Sequence, residues 1–261
     1  MPNSADVIGR LLNGVLSSRS AGRVQNAVGP GGLGATDNPL SALFGSLGGG
    51  TPTGPSGSGG LAEMATRFLG GMRQNRAAAG GVGAVAGFLL GGGRPSGALQ
   101  GGALGLLGSL ALTALSKSGQ QAPPQSIDAL PPTMRPVTTD LDRADSESRA
   151  DLLLNAMIQA AKADGEIDET EIARIRDKLD ADGTDATDLQ RLLALMQAPL
   201  DLDSLVVKIN DVETAAEVYA ASVLAIDIDT DEERAYLAEL AKRTGLDQAT
   251  VNQLHQLLGV G

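Results

Sequence analysis

The sequence contains no cysteine and only one histidine, and both shortages limit the chemistry that the chain can perform. Without cysteine there is neither a disulfide framework nor a thiolate nucleophile, and cysteine usage gives no information on the cellular compartment. His255 lies in the last predicted helix, where a surface or half-buried position is expected rather than general-base work. Neither a Gly-x-Ser-x-Gly elbow nor a phosphate loop ending in Gly-Lys-Ser/Thr is present. We therefore predict that the protein is not an enzyme; the alternative is metal-assisted hydrolysis by clustered carboxylates.

Basic residues are scarce in the second half of the chain. Residues 140–261 hold 11 Lys and Arg against 27 Asp and Glu, a balance of -16. The first 139 residues have a balance of +5 and contain 30 of the 35 glycines. An acidic domain repels phosphates, so we expect no nucleic-acid binding, whereas cation binding is favoured.

The first 60 residues combine a short apolar pattern with a Gly-rich stretch. Residues 4–16 have apolar positions such as Val7 and Ile8 at helical spacing and are predicted to form an amphipathic helix. We expect its apolar face to contact a membrane, a partner or the rest of the chain. Residues 29–60 are Gly, Pro, Ser and Thr with brief apolar islands, and we predict a flexible linker there. No basic region followed by an apolar run opens the chain, so no cleaved signal peptide is expected.

Residues 61–117 contain an amphipathic pattern at 61–76 and then two uncharged segments, 77–93 and 97–116. Glycines four residues apart in both segments form a row on one helix face, which allows close helix packing in lipid. At 1.5 Å per residue the segments reach about 25 and 30 Å, near the hydrocarbon thickness. We predict a membrane-inserted hairpin across 77–116, with basic flanks that keep both ends cytoplasmic. The alternatives are a single span at 97–116, a hairpin entering one leaflet, or a Gly/Ala linker.

The rest of the chain is predicted to be a Pro-rich extended tether over residues 118–145 and an acidic all-α domain over residues 146–261. The domain has apolar residues at helical spacing, joints marked by Gly, Pro and Asp, and no convincing strand alternation. The predicted helices cover residues 146–163, 169–180, 187–197, about 201–209, a segment opening at 210–211, 230–243, and a last helix capped by Asp247.

Two acidic turns recur 61 residues apart and carry the candidate metal ligands. In each turn an Asp is followed three residues later by a Glu, which is the capping-box spacing and explains part of the acidity without a metal. Capping requires neither Asp164 nor Asp227, and several converging carboxylates suit Ca²⁺ or Mg²⁺. Neither turn is an EF-hand, because the twelve-residue loop is missing. The predicted ligands are Asp164, Asp168 and Glu171 in the first turn, and Asp227, Asp229 and Glu232 in the second.

These turns, with the sequence Ala-Ala-Lys-Ala-Asp-Gly-Glu-Ile-Asp at 160–168 and the Gly-rich apolar segments before them, resemble the TerB-like (tellurite-resistance) superfamily. The chain is most similar to the bacterial domain-of-unknown-function-533 family, whose members are described as inner-membrane proteins. The resemblance implies a seven-helix C-terminal domain, a divalent cation at the two turns, and a place in membrane-linked stress or metal responses. It does not imply a reaction.

Together these features predict a non-enzymatic module at the bacterial inner membrane, with its acidic domain facing the cytoplasm. The domain would bind a divalent cation, a protein partner or both, in a tellurite, metal or envelope stress response. The alternative is a soluble protein-interaction domain that forms homo-oligomers through its glycine-rich segments.

Overall fold

The computed structural model describes most of the C-terminal half and short parts of the N-terminal half. The described residues are 98–121, 130–134, 139–165 and 186–260, with short stretches at 7–8, 22–24, 26–27, 32–33, 172–173 and 176–177. Within the four longer stretches the chain forms α-helices and one 3-10 turn, and these stretches contain no strand, which confirms the all-α class for this part. The helices are α1 (Ala98–Ser118), α2 (Asp140–Ala161), α3 (Ala186–Gln197), α4 (Leu202–Val206), α5 (Val212–Ala225), α6 (Asp231–Thr244) and α7 (Gln248–Leu258), and the 3-10 turn is Pro132–Met134.

Helix α5 lies at the centre of the fold. Asp211 caps its start by accepting a hydrogen bond from the Thr214 N–H at 2.6 Å, and every residue from 214 to 224 is buried. A helix that is apolar on all sides is stable in water only when other elements surround it. Helices α1, α2, α6 and α7 supply that cover.

Helix α1 belongs to the same core, although its sequence suggested an arm of a membrane hairpin. It packs against α5, α7 and the 3-10 turn, and leucines such as Leu107 and Leu110 are 0% exposed. The uncharged stretch 97–116 is compatible with lipid and with a protein interior, so composition and periodicity alone do not separate the two environments. No helix of the described residues is long and apolar enough to be a candidate membrane span. The other predicted arm, 77–93, and the predicted helix at 61–76 lie outside the described residues.

The structure differs from the predicted tether at 118–145 both in its middle, at residues 130–134, and at its carboxyl-terminal end. Leu130, Pro131 and Met134 are buried, and α2 begins at Asp140 rather than at residue 146. Thr139 explains the earlier start, because its side chain accepts from the Asp142 N–H at 3.1 Å while Asp142 accepts from the Thr139 N–H at 2.8 Å. This capping box gives α2 a first turn that its polar sequence concealed.

The remaining helix predictions are close to the structure where it describes them. Helices α3, α6 and α7 begin and end within a residue or two of the predicted positions, and α4 is shorter than predicted. Gly245 ends α6 in the left-handed conformation, with φ of 74°, as expected for a glycine after a helix. Of the predicted helix at 169–180, residues 172–173 and 176–177 are described and helical.

Part of the N-terminal region packs on this core. Val7 and Ile8 are 2% and 0% exposed and belong to the main hydrophobic cluster, so this part of the predicted 4–16 helix contacts its own chain. Ala27 is also fully buried, and its carbonyl accepts from the Leu33 N–H at 2.7 Å. The described residues between 22 and 27 are here called the N-terminal arm, and they contact the site described below.

Candidate functional site

The first acidic turn follows α2 directly. The Gly165 N–H donates to the Lys162 carbonyl at 3.2 Å, and Asp164 between them is exposed. Lys162 itself is buried, and its ammonium donates to the Ala198 carbonyl just after α3. A cation at the carbonyl end of a helix is favourable, so this lysine fixes the turn against α3.

Asp164 and Gly165 line an open cleft of about 380 Å³. Its other walls are Lys162 and Ala163 on one side and Pro199 and Leu200 on the other. The predicted ligands Asp168 and Glu171 lie outside the described residues. Of the three predicted ligands in the first acidic turn, the structure therefore places only Asp164, which lies beside this cleft.

The second acidic turn joins α5 to α6. Asp227 is half-buried, Asp229 is exposed, and Ile228 between them has φ of 54°. A β-branched residue in the left-handed region is unfavourable by about 1–3 kcal/mol and persists only where the surroundings hold it. Arg234 contributes to holding it by donating to the Asp229 carbonyl at 3.1 Å.

The start of α6 corrects the predicted capping pair in this turn. Thr230, not Asp229, is the N-cap, and Glu233, not Glu232, is its partner. The Glu233 carboxylate accepts from the backbone N–H groups of Asp229 and Thr230 at 3.0 and 3.1 Å. Glu232 is exposed, so the capping role that sequence spacing assigned to Asp229 and Glu232 belongs one residue later.

Among the described residues, no three His, Asp or Glu side chains are close enough together to hold a metal ion. Asp227, Asp229 and Glu232 share one turn without forming a three-ligand cluster. Because Asp168 and Glu171 lie outside the described part, the six-carboxylate cation site stays a prediction.

The N-terminal arm covers the end of α5 beside the second turn. The guanidinium of Arg23 donates to the carbonyls of Val223 and Ile226, and to that of Asp227 at 2.8 Å. Arg23 is 7% exposed. The last carbonyls of a helix lack N–H partners within the helix, and Arg23 provides them.

His255 lies close to this arm, as a half-buried residue of α7. Its Nε2 is 2.9 Å from the Tyr219 hydroxyl, and the two rings stack with centroids 5.8 Å apart. Burial, and then the charge of Arg23, lower the pKa of His255. Burial raises the pKa of Tyr219 to about 12. Both groups are therefore neutral near pH 7, and His255 is half-buried, as its place in the last helix predicted.

Glu217 is a buried carboxyl that the sequence interpretation did not single out. It is 0% exposed in the middle of α5, where Thr133 donates to it and the Arg149 guanidinium lies 3.6 Å away. Burial raises the pKa of Glu217 to about 7, outweighing the opposite effects of Arg149 and Thr133. The available signal was an acid within the Ala-Ala-Glu-Val-Tyr run of an otherwise apolar helix.

Gly108 of α1 makes room for this group. A Cβ at position 108 would lie 2.5 Å from the Thr133 hydroxyl oxygen, 2.8 Å from the Met134 Cγ and 3.3 Å from a Glu217 carboxyl oxygen. The missing side chain therefore lets the 3-10 turn approach α1 and place Thr133 over Glu217. This glycine serves packing within the protein.

A comparison with known protein families assigns the chain to a group. A family model described as "Protein of unknown function (DUF533)" matches residues 71–258, which include α1 and every later helix. No curated protein and no solved structure matches the chain. The wider TerB-like relationship stays a prediction. Since the match extends over more than half of the sequence, the chain belongs to the DUF533 family of proteins of unknown function.

Proposed function

We propose that this protein is a non-enzymatic binding module whose two acidic turns bind a divalent cation at one end of the helical bundle. Six carboxylates, with backbone carbonyls beside them, offer the oxygen ligands that Ca²⁺ and Mg²⁺ prefer. The proposal retains the TerB-like interpretation and a role in metal or envelope stress as its biological context.

The packing of α2 on α5 is the observation that supports it. The buried residues of α2 fall within 150–160 and those of α5 within 214–224, and the two helices pack together. Arg149, just before the first stretch, bonds to Thr214 at the start of the second. Because the buried stretches of α2 and α5 begin beside each other, a parallel alignment of the two helices is favoured. The turns that follow α2 and α5 would then lie at the same end of the bundle.

Calorimetric titration of the full chain with Ca²⁺ and with Mg²⁺ tests the proposal. We expect binding in the micromolar to millimolar range of Ca²⁺ sites with few fixed ligands. The variant Asp164→Asn/Asp227→Asn should lose the heat. The control Asp145→Asn/Glu147→Gln removes the same charge near the start of α2 and should retain it. Equal heats from all three proteins would exclude the site.

Membrane attachment is a separate part of the proposal and now concerns residues 77–93. This segment has no charge over 17 residues, about 25 Å as a helix, while its predicted partner arm is buried in protein. We propose that it inserts at the inner membrane with the acidic domain in the cytoplasm.

Fractionation of the full chain tests this attachment. We expect the wild type in the membrane pellet and Leu89→Glu/Leu90→Glu in the supernatant. A monodisperse wild type in the supernatant without detergent would exclude insertion, and an oligomer there would favour the soluble self-associating alternative.

A further inference from the structure

The carboxyl end of α5 presents three carbonyl oxygens to a single point. Helix α5 ends at Ala225, so the carbonyl of Val223 has no helical partner four residues later, and those of Ile226 and Asp227 lie in the turn. All three accept from the guanidinium of Arg23, two from Nη1 and one from Nη2. The oxygens must therefore converge to within the width of one guanidinium group.

A convergent set of carbonyl oxygens is a ligand set for a hard cation. Ca²⁺ takes backbone carbonyls together with carboxylates, and the carbonyl end of a helix favours positive charge. Asp227 supplies both a carbonyl to this point and one of the predicted carboxylate ligands. Arg23 is buried here and satisfies the same oxygens that a metal ion would use.

The arm that carries Arg23 also contacts the core through apolar residues. Ala27 is buried, and Asn26 lies against Gly259, where a Cβ would come within 2.2 Å of its Nδ2 atom. The arm is separated from α1 by the 70 residues from 28 to 97. Linkage within one chain can hold the arm at a local concentration in the millimolar range, so an external ligand displaces it only when its concentration relative to its own dissociation constant exceeds that of the arm.

We propose that Arg23 acts as an internal cation at the second acidic turn, so that the N-terminal arm and an external divalent cation compete for the carboxyl end of α5. This inference rests on the cation binding proposed above and adds its regulation. The arm is docked when the divalent cation is scarce. Binding of the ion releases the arm and uncovers the surface beside His255 and Gly259.

Titration of full-length variants with Ca²⁺ tests the competition. Arg23→Ala removes the internal cation and should bind Ca²⁺ about tenfold more tightly than the wild type, a typical size for coupling between two ligands. Lys208→Ala removes the same charge from an exposed residue of the bundle and should change the affinity less than about twofold, because exposed charges are screened.

Release of the arm can be followed directly, because the chain has no other cysteine to label. A Cβ at Gly22 meets no atom within 4 Å, so a spin label on a Gly22→Cys variant should be accommodated. We expect it to broaden the amide signals of residues 223–227 without Ca²⁺ and to lose this effect as Ca²⁺ saturates. Adding Arg23→Ala should abolish the broadening without any ion.

The two measurements separate the inference from the proposed function. Equal Ca²⁺ affinity in the wild type and Arg23→Ala, with broadening that persists at saturation, overturns the competition and leaves the cation site intact. Absence of Ca²⁺ binding in both proteins overturns the proposed function together with the competition. Binding by Arg23→Ala alone supports the inference, since the arm would then block the site completely.

Discussion

Glu217 shows how one residue can make stability depend on pH. Its ordinary pKa is 4.5, and burial raises the pKa to about 7 in the folded protein. Below about pH 4.5 the carboxyl is protonated in both the folded and unfolded states, so its burial has little cost. As pH rises from 4.5 to 7, the carboxyl ionises first in the unfolded state, so the free energy of unfolding falls. Above 7 the folded state also holds the charge in its core, and the loss is complete. The difference between the two pKa values corresponds to about 3 kcal/mol of unfolding free energy.

We predict that Glu217→Gln removes this dependence. Gln is similar in shape and still accepts from the Thr133 hydroxyl, but it does not ionise. Between pH 5 and 7.5 the wild type should lose up to about 3 kcal/mol relative to the variant. Urea unfolding at several pH values measures the difference. Parallel curves for the two proteins would show that the carboxyl is not perturbed in the folded state.

At Gly108 we predict that alanine destabilises the protein, against its helix propensity. Alanine in a helix normally gains about 1 kcal/mol over glycine. Here its Cβ would meet Thr133 and Met134 at distances that require a shift of the 3-10 turn, and overpacking of this kind costs about 1–3 kcal/mol. Thermal unfolding of Gly108→Ala, Thr133→Ala and the double variant gives the coupling energy. A coupling of zero would contradict the proposed contact.

For single residues, the sequence predicted the position within a helix and the capping role better than it predicted contacts with distant parts of the chain. The half-buried position of His255 and the cap at Asp247, which accepts from the Thr250 N–H at 2.6 Å, followed from helical spacing. Glu217 and Arg23 did not, because their partners lie 84 and about 200 residues away in sequence. Periodicity contains no information on which distant turn or carbonyl a polar group will meet.

At the scale of helices, capping determines the start of α6. Glu233 accepts from two backbone N–H groups and from the Thr230 hydroxyl, whereas Glu232 in the same turn is exposed. We predict that Glu233→Ala lowers the unfolding free energy by about 1 kcal/mol. Glu232→Ala, which removes the same charge from the same helix start, should have a much smaller effect. Equal losses in urea unfolding would point to the helix dipole alone.

Helix boundaries were predictable where a cap and an apolar stripe coincide. Helices α6 and α7 have both signals, and their predicted limits agree with the structure to within about a residue. The first ten residues of α2 have the sequence Asp-Leu-Asp-Arg-Ala-Asp-Ser-Glu-Ser-Arg, which resembles a polar linker. Only the pairing of Thr139 with Asp142 shows that a helix begins there.

For the whole molecule, the structure moves the domain boundary that the sequence suggested. The predicted division at residue 146 separates α1 from the acidic helices, yet α1 contributes five buried leucines to the core that they share. Burial of each is worth about 1.5–3 kcal/mol, so together they approach the total stability of a typical domain. Composition placed the division there because glycine and charge both change sharply near this position.

We predict that a truncated chain of residues 140–261 does not fold cooperatively, whereas residues 98–261 do. Without α1, one side of α5 and of α7 would be exposed to water. Circular dichroism during heating and binding of a hydrophobic dye measure the difference between the two chains. A sharp transition and no dye binding for residues 140–261 would show that the acidic helices form an independent domain.

The complete burial of α5 has a consequence for how the protein opens. Since residues 214–224 are enclosed by four other helices, no local fraying can expose their amides to solvent. Their hydrogens should exchange with deuterium only when the entire bundle comes apart, at a rate set by global stability. The exchange rate of this segment would then serve as an internal reference. The exchange rates of the outer helices can be compared with it to detect their loosening by an ion, a partner or a membrane.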